Sequence, residues 1–179
     1  MQKTLIILGV LVIAGLGLWY LLVKPASVTI TPDSDYKNIS YQIDGKEYLL
    51  KDGIAQTEAA PGSASVSTVR YFGNEIWGDF DGNGTGDVAF LITKNDGGSG
   101  TFYYAVAALT GIDGYVGTNA VFLGDRIAPQ TTEFRNGGII VNYADRKPDE
   151  PMTAKPSLGV SKYLKVEDGT LVEARSGNN

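Results

Sequence analysis

Oxygen-bearing side chains recur at alternate positions along Asp79-Phe80-Asp81-Gly82-Asn83-Gly84-Thr85-Gly86-Asp87. A calcium ion takes roughly six to eight oxygen ligands on a tightly folded loop, drawn from carboxylates, amides and backbone carbonyls. Alternate Asp or Asn side chains, a glycine at the sixth position and a carbonyl at the seventh supply such a set. The ligands expected on this basis are Asp79, Asp81, Asn83, the Thr85 carbonyl and Asp87. Gly, Asn and Asp also build turns that bind nothing. Three carboxylates within nine residues repel one another without a cation, and this favours a structural Ca2+ site.

With Gly78 in front, the run reads GDxDGNG and lies between the apolar pairs Ile76-Trp77 and Val88-Ala89. It resembles the calcium loop of FG-GAP and VCBS repeats, in which such a turn, closed by Asp at its ninth position, leads into a strand. The twelfth position is Phe90 and not a bidentate Glu, so the loop is not an EF-hand. It occurs once, so the resemblance does not imply a propeller. More widely, Asn95 to Tyr104, Leu123 to Arg126 and Asp145 to Ser157 resemble segments of uncharacterised exported or membrane-anchored bacterial proteins that carry a single loop of this type. That wider resemblance implies an envelope location and no particular activity.

Other chemistry is limited by what the chain lacks. It has no histidine and no cysteine, which removes the commonest general base, the usual catalytic triads, thiol nucleophiles and nearly all zinc chemistry. Carboxylates remain. The stretch from Asp145 to Ser157, with three prolines, is longer than connections usually are in a compact domain. Asp149 or Glu150 with Asp125 would supply the two carboxylates of a glycan or peptidoglycan hydrolase if they faced each other across a cleft. Trp77, Tyr103, Tyr104 and Tyr115 are candidates for a sugar-stacking platform, although aromatic residues in strands more often belong to the core. Gly97-Gly98-Ser99-Gly100 lacks the lysine and helix of a phosphate loop and reads as a flexible turn.

The elements that must position these residues are strands. Asp44-Gly45, Asp52-Gly53, Asn136-Gly137 and Asp168-Gly169 are tight-turn dipeptides. Strands are expected near 39–43, 46–50, 64–71, 88–93, 102–109, 119–123, 131–135, 138–143, 159–166 and 170–174. Ile54 to Ala60 reads as a turn or two of helix before Pro61. Val88 to Ile92 and Phe102 to Leu109 are continuous apolar runs, as expected of central strands covered on both faces. The fold class is all-β, an antiparallel sandwich or barrel-like domain over residues 39–175, with a short tail at 176–179.

Ahead of it, 13 of the 19 residues from Leu5 to Val23 are Leu, Ile or Val and none is charged. Such a segment is long enough to span a bilayer as one helix. Residues 1–24 are thus expected to anchor the chain and 25–38 to tether the domain. Lys3 favours a cytoplasmic N-terminus, while Trp19 and Tyr20 suit the far interface. The exported part then carries the 15 basic residues less Lys3 and Lys24, 13 in all, against 20 acidic ones, a formal charge of −7. Nucleic acid is a poor partner for that surface. The expectation is a single-pass envelope protein whose β-domain serves as a binding or structural module for a protein or polysaccharide; carboxylate-dependent hydrolysis is the alternative.

Overall fold

A computed structural model of the chain describes residues 35–175. The expected membrane span, most of the tether and the tail lie outside these residues. The described part is all-β, and among the described residues there is no helix long and apolar enough to cross a membrane.

Twelve strands form three antiparallel sheets. Strands β1 (Ser40–Ile43) and β2 (Lys46–Leu49) make a hairpin. The central sheet runs in the order β3 (Ile54–Glu58), β4 (Val66–Gly78), β5 (Asp87–Asn95), β6 (Phe102–Gly111) and β7 (Gly114–Gly117). Strand β8 (Val121–Asp125) continues along β6 beyond the end of β7, and the whole sheet curls into a half-barrel. The third sheet runs in the order β12 (Thr170–Glu173), β11 (Leu158–Glu167), β10 (Gly138–Asp145) and β9 (Ala128–Arg135).

The period of two along β5 and β6 explains why both read as unbroken apolar runs. Ala89, Leu91, Ala105 and Ala107 face the third sheet, against Ile139, Val141, Tyr143, Leu164 and Leu171. Val88, Phe90, Ile92, Val106 and Ala108 face the other way, against Tyr41, Ile43, Tyr48 and Leu50 of the β1–β2 hairpin. Both faces of the central strands are therefore dry, and each fully buried Leu, Ile, Val or Phe contributes about 1.5–3 kcal/mol relative to exposure.

All four tight-turn dipeptides take positive φ at both residues: 52° and 76° at Asp44-Gly45, 51° and 77° at Asp52-Gly53, 51° and 73° at Asn136-Gly137, 48° and 73° at Asp168-Gly169. This is the hairpin turn whose twist matches that of the flanking strands. Two local readings change and one strand is added. Ile54 to Glu58 is strand β3, because pairing with β4 and burial of Ala55 outweigh the helical preference of Ala, Gln and Glu. Strand β4 runs on past Tyr71 to Gly78 through two register shifts, between Tyr71 and Gly73 and between Gly73 and Ile76, which break the alternation. Gly114–Gly117 is strand β7, four residues with a glycine at each end and no apolar period to read. Residues 35–38 fold against the domain, with the Tyr36 ring on those of Trp77, Phe90 and Tyr115.

Candidate metal centre

The loop from Asp79 to Gly86 joins β4 to β5 across the end of the central sheet. Gly78 precedes it because nothing larger fits: a Cβ there would lie 2.6 Å from the Phe134 ring. Phe80 is buried in the core and meets Phe134 edge-on at 5.0 Å, which fixes the entry to the loop. Gly82 and Gly84 have φ of 77° and 85°, and a side chain at either would be strained.

Within the loop the carboxylates fold inward onto backbone N–H groups. Asp79 accepts from Gly82 and Gly84 at 2.8 and 2.9 Å, and Asp81 from Asn83 at 3.0 Å. Asp87 is fully buried; its Oδ2 accepts from Phe80 N–H and its Oδ1 from Thr110 N–H on β6, both at 2.8 Å. One carboxylate oxygen from each of Asp79, Asp81 and Asp87 lies within 4.8 Å of the others. Burial pushes the Asp87 carboxyl above its usual range; the two N–H groups oppose this and the neighbouring Asp81 and Asp79 charges add to it.

Of the five ligands expected from the sequence, the three carboxylates of Asp79, Asp81 and Asp87 converge. Asn83 turns its Oδ1 to Thr85 N–H at 2.7 Å and its Nδ2 to Asp81 at 3.0 Å, while Thr85 Oγ1 also donates to Asn83 Oδ1. Thr110 ties the loop to the β6–β7 turn, accepting from Asn83 Nδ2 at 3.3 Å and donating from its hydroxyl to Gly86 O at 2.6 Å. A set of hard oxygens with uncompensated negative charge suits a hard cation such as calcium better than a thiophilic metal.

Of the carboxylates considered for hydrolysis, Asp125 and Glu150 are engaged structurally, as is Asp145 nearby, while Asp149 sits at a positive-φ turn position. Asp125 accepts from Thr101 N–H at 2.8 Å and pairs with Arg126 at 2.9 Å. Burial pushes its carboxyl up, but these partners outweigh that and hold it below the usual range. Asp145 accepts from Arg146 N–H at 2.7 Å, and Glu150 from Lys147 N–H at 3.0 Å. The long loop is fastened by Arg146, whose guanidinium donates to Ala154 O at 2.9 Å, Asp125 O at 3.1 Å and Arg126 O at 3.2 Å.

The aromatic candidates separate. Tyr104 is buried, with its hydroxyl on Asp44 at 2.9 Å, and Tyr103 packs with Phe72 against the core on the third-sheet side. Trp77 and Tyr115 share Tyr36 as a neighbour, each meeting it edge-on, at 5.7 and 6.0 Å. Beside them Glu75 accepts from Tyr36 at 2.5 Å and from Tyr71, with Lys37 Nζ at 3.8 Å. Burial alone would raise the Glu75 carboxyl, yet the two phenols and the lysine bring it below the usual range. Burial first, then the hydrogen bond to Glu75 and its negative charge, push the Tyr71 phenol up to about 12, against a smaller opposing effect of Tyr36. This cluster escaped the sequence reading; its only local trace is Gly73-Asn74, the bulge that re-aims Glu75.

Compared with protein-family models, with curated proteins and with solved structures, the chain finds no match.

Proposed function

We propose that this chain is a membrane-anchored envelope protein of bacterial type, whose β-domain lies outside the cytoplasm as a binding or structural module stiffened by one calcium ion. The observation that carries the calcium assignment is the convergence of the Asp79, Asp81 and Asp87 carboxylate oxygens to within 4.8 Å. A bound cation relieves their repulsion and ties the β4–β5 loop to Thr110 on β6 through Asp87. Asn83 and the Thr85 carbonyl complete the proposed ligand set. The anchor is residues 5–23, whose apolar length matches the hydrocarbon layer. With Asp125, which either hydrolytic pair requires, already held by Thr101 N–H and Arg126, binding is a better reading than carboxylate hydrolysis.

The test is thermal unfolding of the full chain in detergent under calcium and magnesium titration. A ligand of the folded loop alone stabilises by RT ln(1 + [Ca]/Kd), about 2.7 kcal/mol at a hundredfold excess over Kd. Extracellular sites can be as weak as roughly 10⁻⁴ to 10⁻³ M, so the titration must reach tens of millimolar. Calcium should raise the melting temperature more than magnesium, and Asp81→Ala should abolish the increment. Equal responses to both ions, or an unchanged response in Asp81→Ala, would reduce the loop to a glycine-rich turn.

A further inference from the structure

We propose that the surface formed by Trp77, Tyr36 and Glu75 binds an uncharged glycan. This rests on the reading of the domain as an envelope binding module and names the chemical class of its partner.

Trp77 is 51 % exposed although it stands on a strand of the central sheet, and Tyr36 meets it edge-on at an interplanar angle of 84°. Tyr36 also meets Tyr115 at 89°. The large apolar ring is thus held in position by a neighbour and still reaches water. Polar groups of both kinds stand next to it. Glu75 offers a carboxylate and Lys37 an ammonium, with side chains 28 % and 32 % exposed, 3.8 Å apart. Neither is loosely placed: Glu75 is gripped by the Tyr36 and Tyr71 hydroxyls, and Lys37 Nζ lies 4.0 Å from the centre of the Tyr71 ring. Glu75 lies within the second of two register shifts, between Gly73 and Ile76, and such irregularities commonly re-aim a side chain at a binding site.

A sugar ring is the complement of this arrangement. Its C–H face packs on an indole, and its hydroxyls donate to a carboxylate and accept from an ammonium at once. Next to Tyr115, a depression of about 340 Å³, lined also by Ser40, Gln42, Glu47 and Val116, leads away between β7 and the β1–β2 hairpin. That volume is at the lower end of the small-molecule range, enough for a ring or two beyond the one on Trp77. Glu47 beside the depression and the formal charge of −7 on the part beyond Lys24 repel phosphate, sulfate and uronate groups, while Lys37 is already paired with Glu75, so the glycan is neutral.

The experiment is isothermal titration calorimetry on the full chain in a zwitterionic detergent, because glycoside detergents would compete. The probes are cellohexaose and chitohexaose, with a polygalacturonate hexamer as the acidic counterpart. At least one neutral hexamer should bind, Trp77→Ala should weaken it by about tenfold or more, and Glu75→Gln should weaken it less. Trp77→Phe should retain most of the affinity, which separates loss of the ring from loss of folding. Phe72→Ala, a half-exposed aromatic outside the cluster, should bind as the wild type does. No heat from either neutral hexamer at millimolar concentration, full affinity in Trp77→Ala, or preference for the acidic hexamer would each overturn the proposal. Repeating the titration with Asp81→Ala separates the two readings, since glycan binding that survives there stands whatever the fate of the calcium assignment.

Discussion

The side-chain amide of Asn119 pairs with the backbone of Leu171 as a strand would, its Nδ2 donating to Leu171 O at 2.9 Å and its Oδ1 accepting from Leu171 N–H at 2.8 Å. The backbone around Asn119 meanwhile bridges the β1–β2 hairpin, with Gln42 N–H donating to Thr118 O at 3.2 Å and Ala120 N–H donating to Gln42 O at 2.7 Å. One residue between β7 and β8 therefore ties all three sheets together. Replacing it with Ala leaves two backbone groups of Leu171 without partners, and the expected loss is about 1–3 kcal/mol in urea unfolding. Asn119→Asp, which keeps the acceptor and loses the donor, should fall between.

Gly117 lies under the hairpin. A Cβ on it would stand 2.1 Å from Ser40 O and 2.9 Å from the Tyr41 ring, so the hairpin must shift to admit one. Gly117→Ala should destabilise by about 1–3 kcal/mol, the usual range for overpacking. Gly159→Ala, where nothing lies within 4 Å, should stay within about 0.5 kcal/mol. Comparable losses at both positions would mean that the hairpin does not sit on β7.

Acid should weaken the domain partly through Asp125. Its folded carboxyl titrates below the unfolded value because Arg126 and Thr101 N–H favour the charged form. Stability from that group is therefore present above the unfolded pKa, about 4, and lost as pH falls through the lower folded value. Asp125→Asn, which keeps an acceptor for Thr101, should flatten the decline in melting temperature below about pH 4 relative to the wild type. An unchanged acid slope would remove Asp125 from the account.

The loop between β10 and β11 should respond to Arg146 and not to its carboxylates. Arg146→Ala frees three carbonyls and should lower stability by about 1–3 kcal/mol in a denaturant series. Asp149 has φ of 73°, so Asp149→Gly should be neutral or slightly stabilising. A large loss on Asp149→Gly would point to a role for that carboxylate beyond the turn.

The topology is testable in cells. With residues 5–23 in the membrane, the intact chain should stay in the pellet after carbonate washing, and a protease outside spheroplasts should digest the domain. A shortened, soluble product would identify the segment as a cleaved signal.

How legible this molecule was depended on whether the signal was local. Asp44-Gly45 or Asn136-Gly137 announces its own turn because positive φ is a property of the dipeptide, and Val88 to Ile92 announces a central strand because both of its faces are covered. The carboxylates of Asp79, Asp81 and Asp87 converge because alternate residues of one tight turn must. What sequence did not show depended on partners far along the chain. Strand β3 exists because β4 lies beside it, and Glu75 meets Tyr36 across 39 positions through a bulge that spoils the very alternation by which strands are read. The N–H groups of Thr101 and Lys147 that meet Asp125 and Glu150 were likewise absent from the formula.

The two-sided covering of β5 and β6 bears on the order of events as the chain is made. Synthesis runs from the N-terminus, so the β1–β2 hairpin is finished while β5, β6, β7 and the Asn119 bridge do not yet exist. Tyr41, Ile43, Tyr48 and Leu50 then have nowhere to go. The first strands of the domain to emerge must wait for partners that reach as far as residue 120, and until then they offer an oily hairpin to whatever is near. A nascent chain of this design needs either a shield over that hairpin or a late half that arrives quickly.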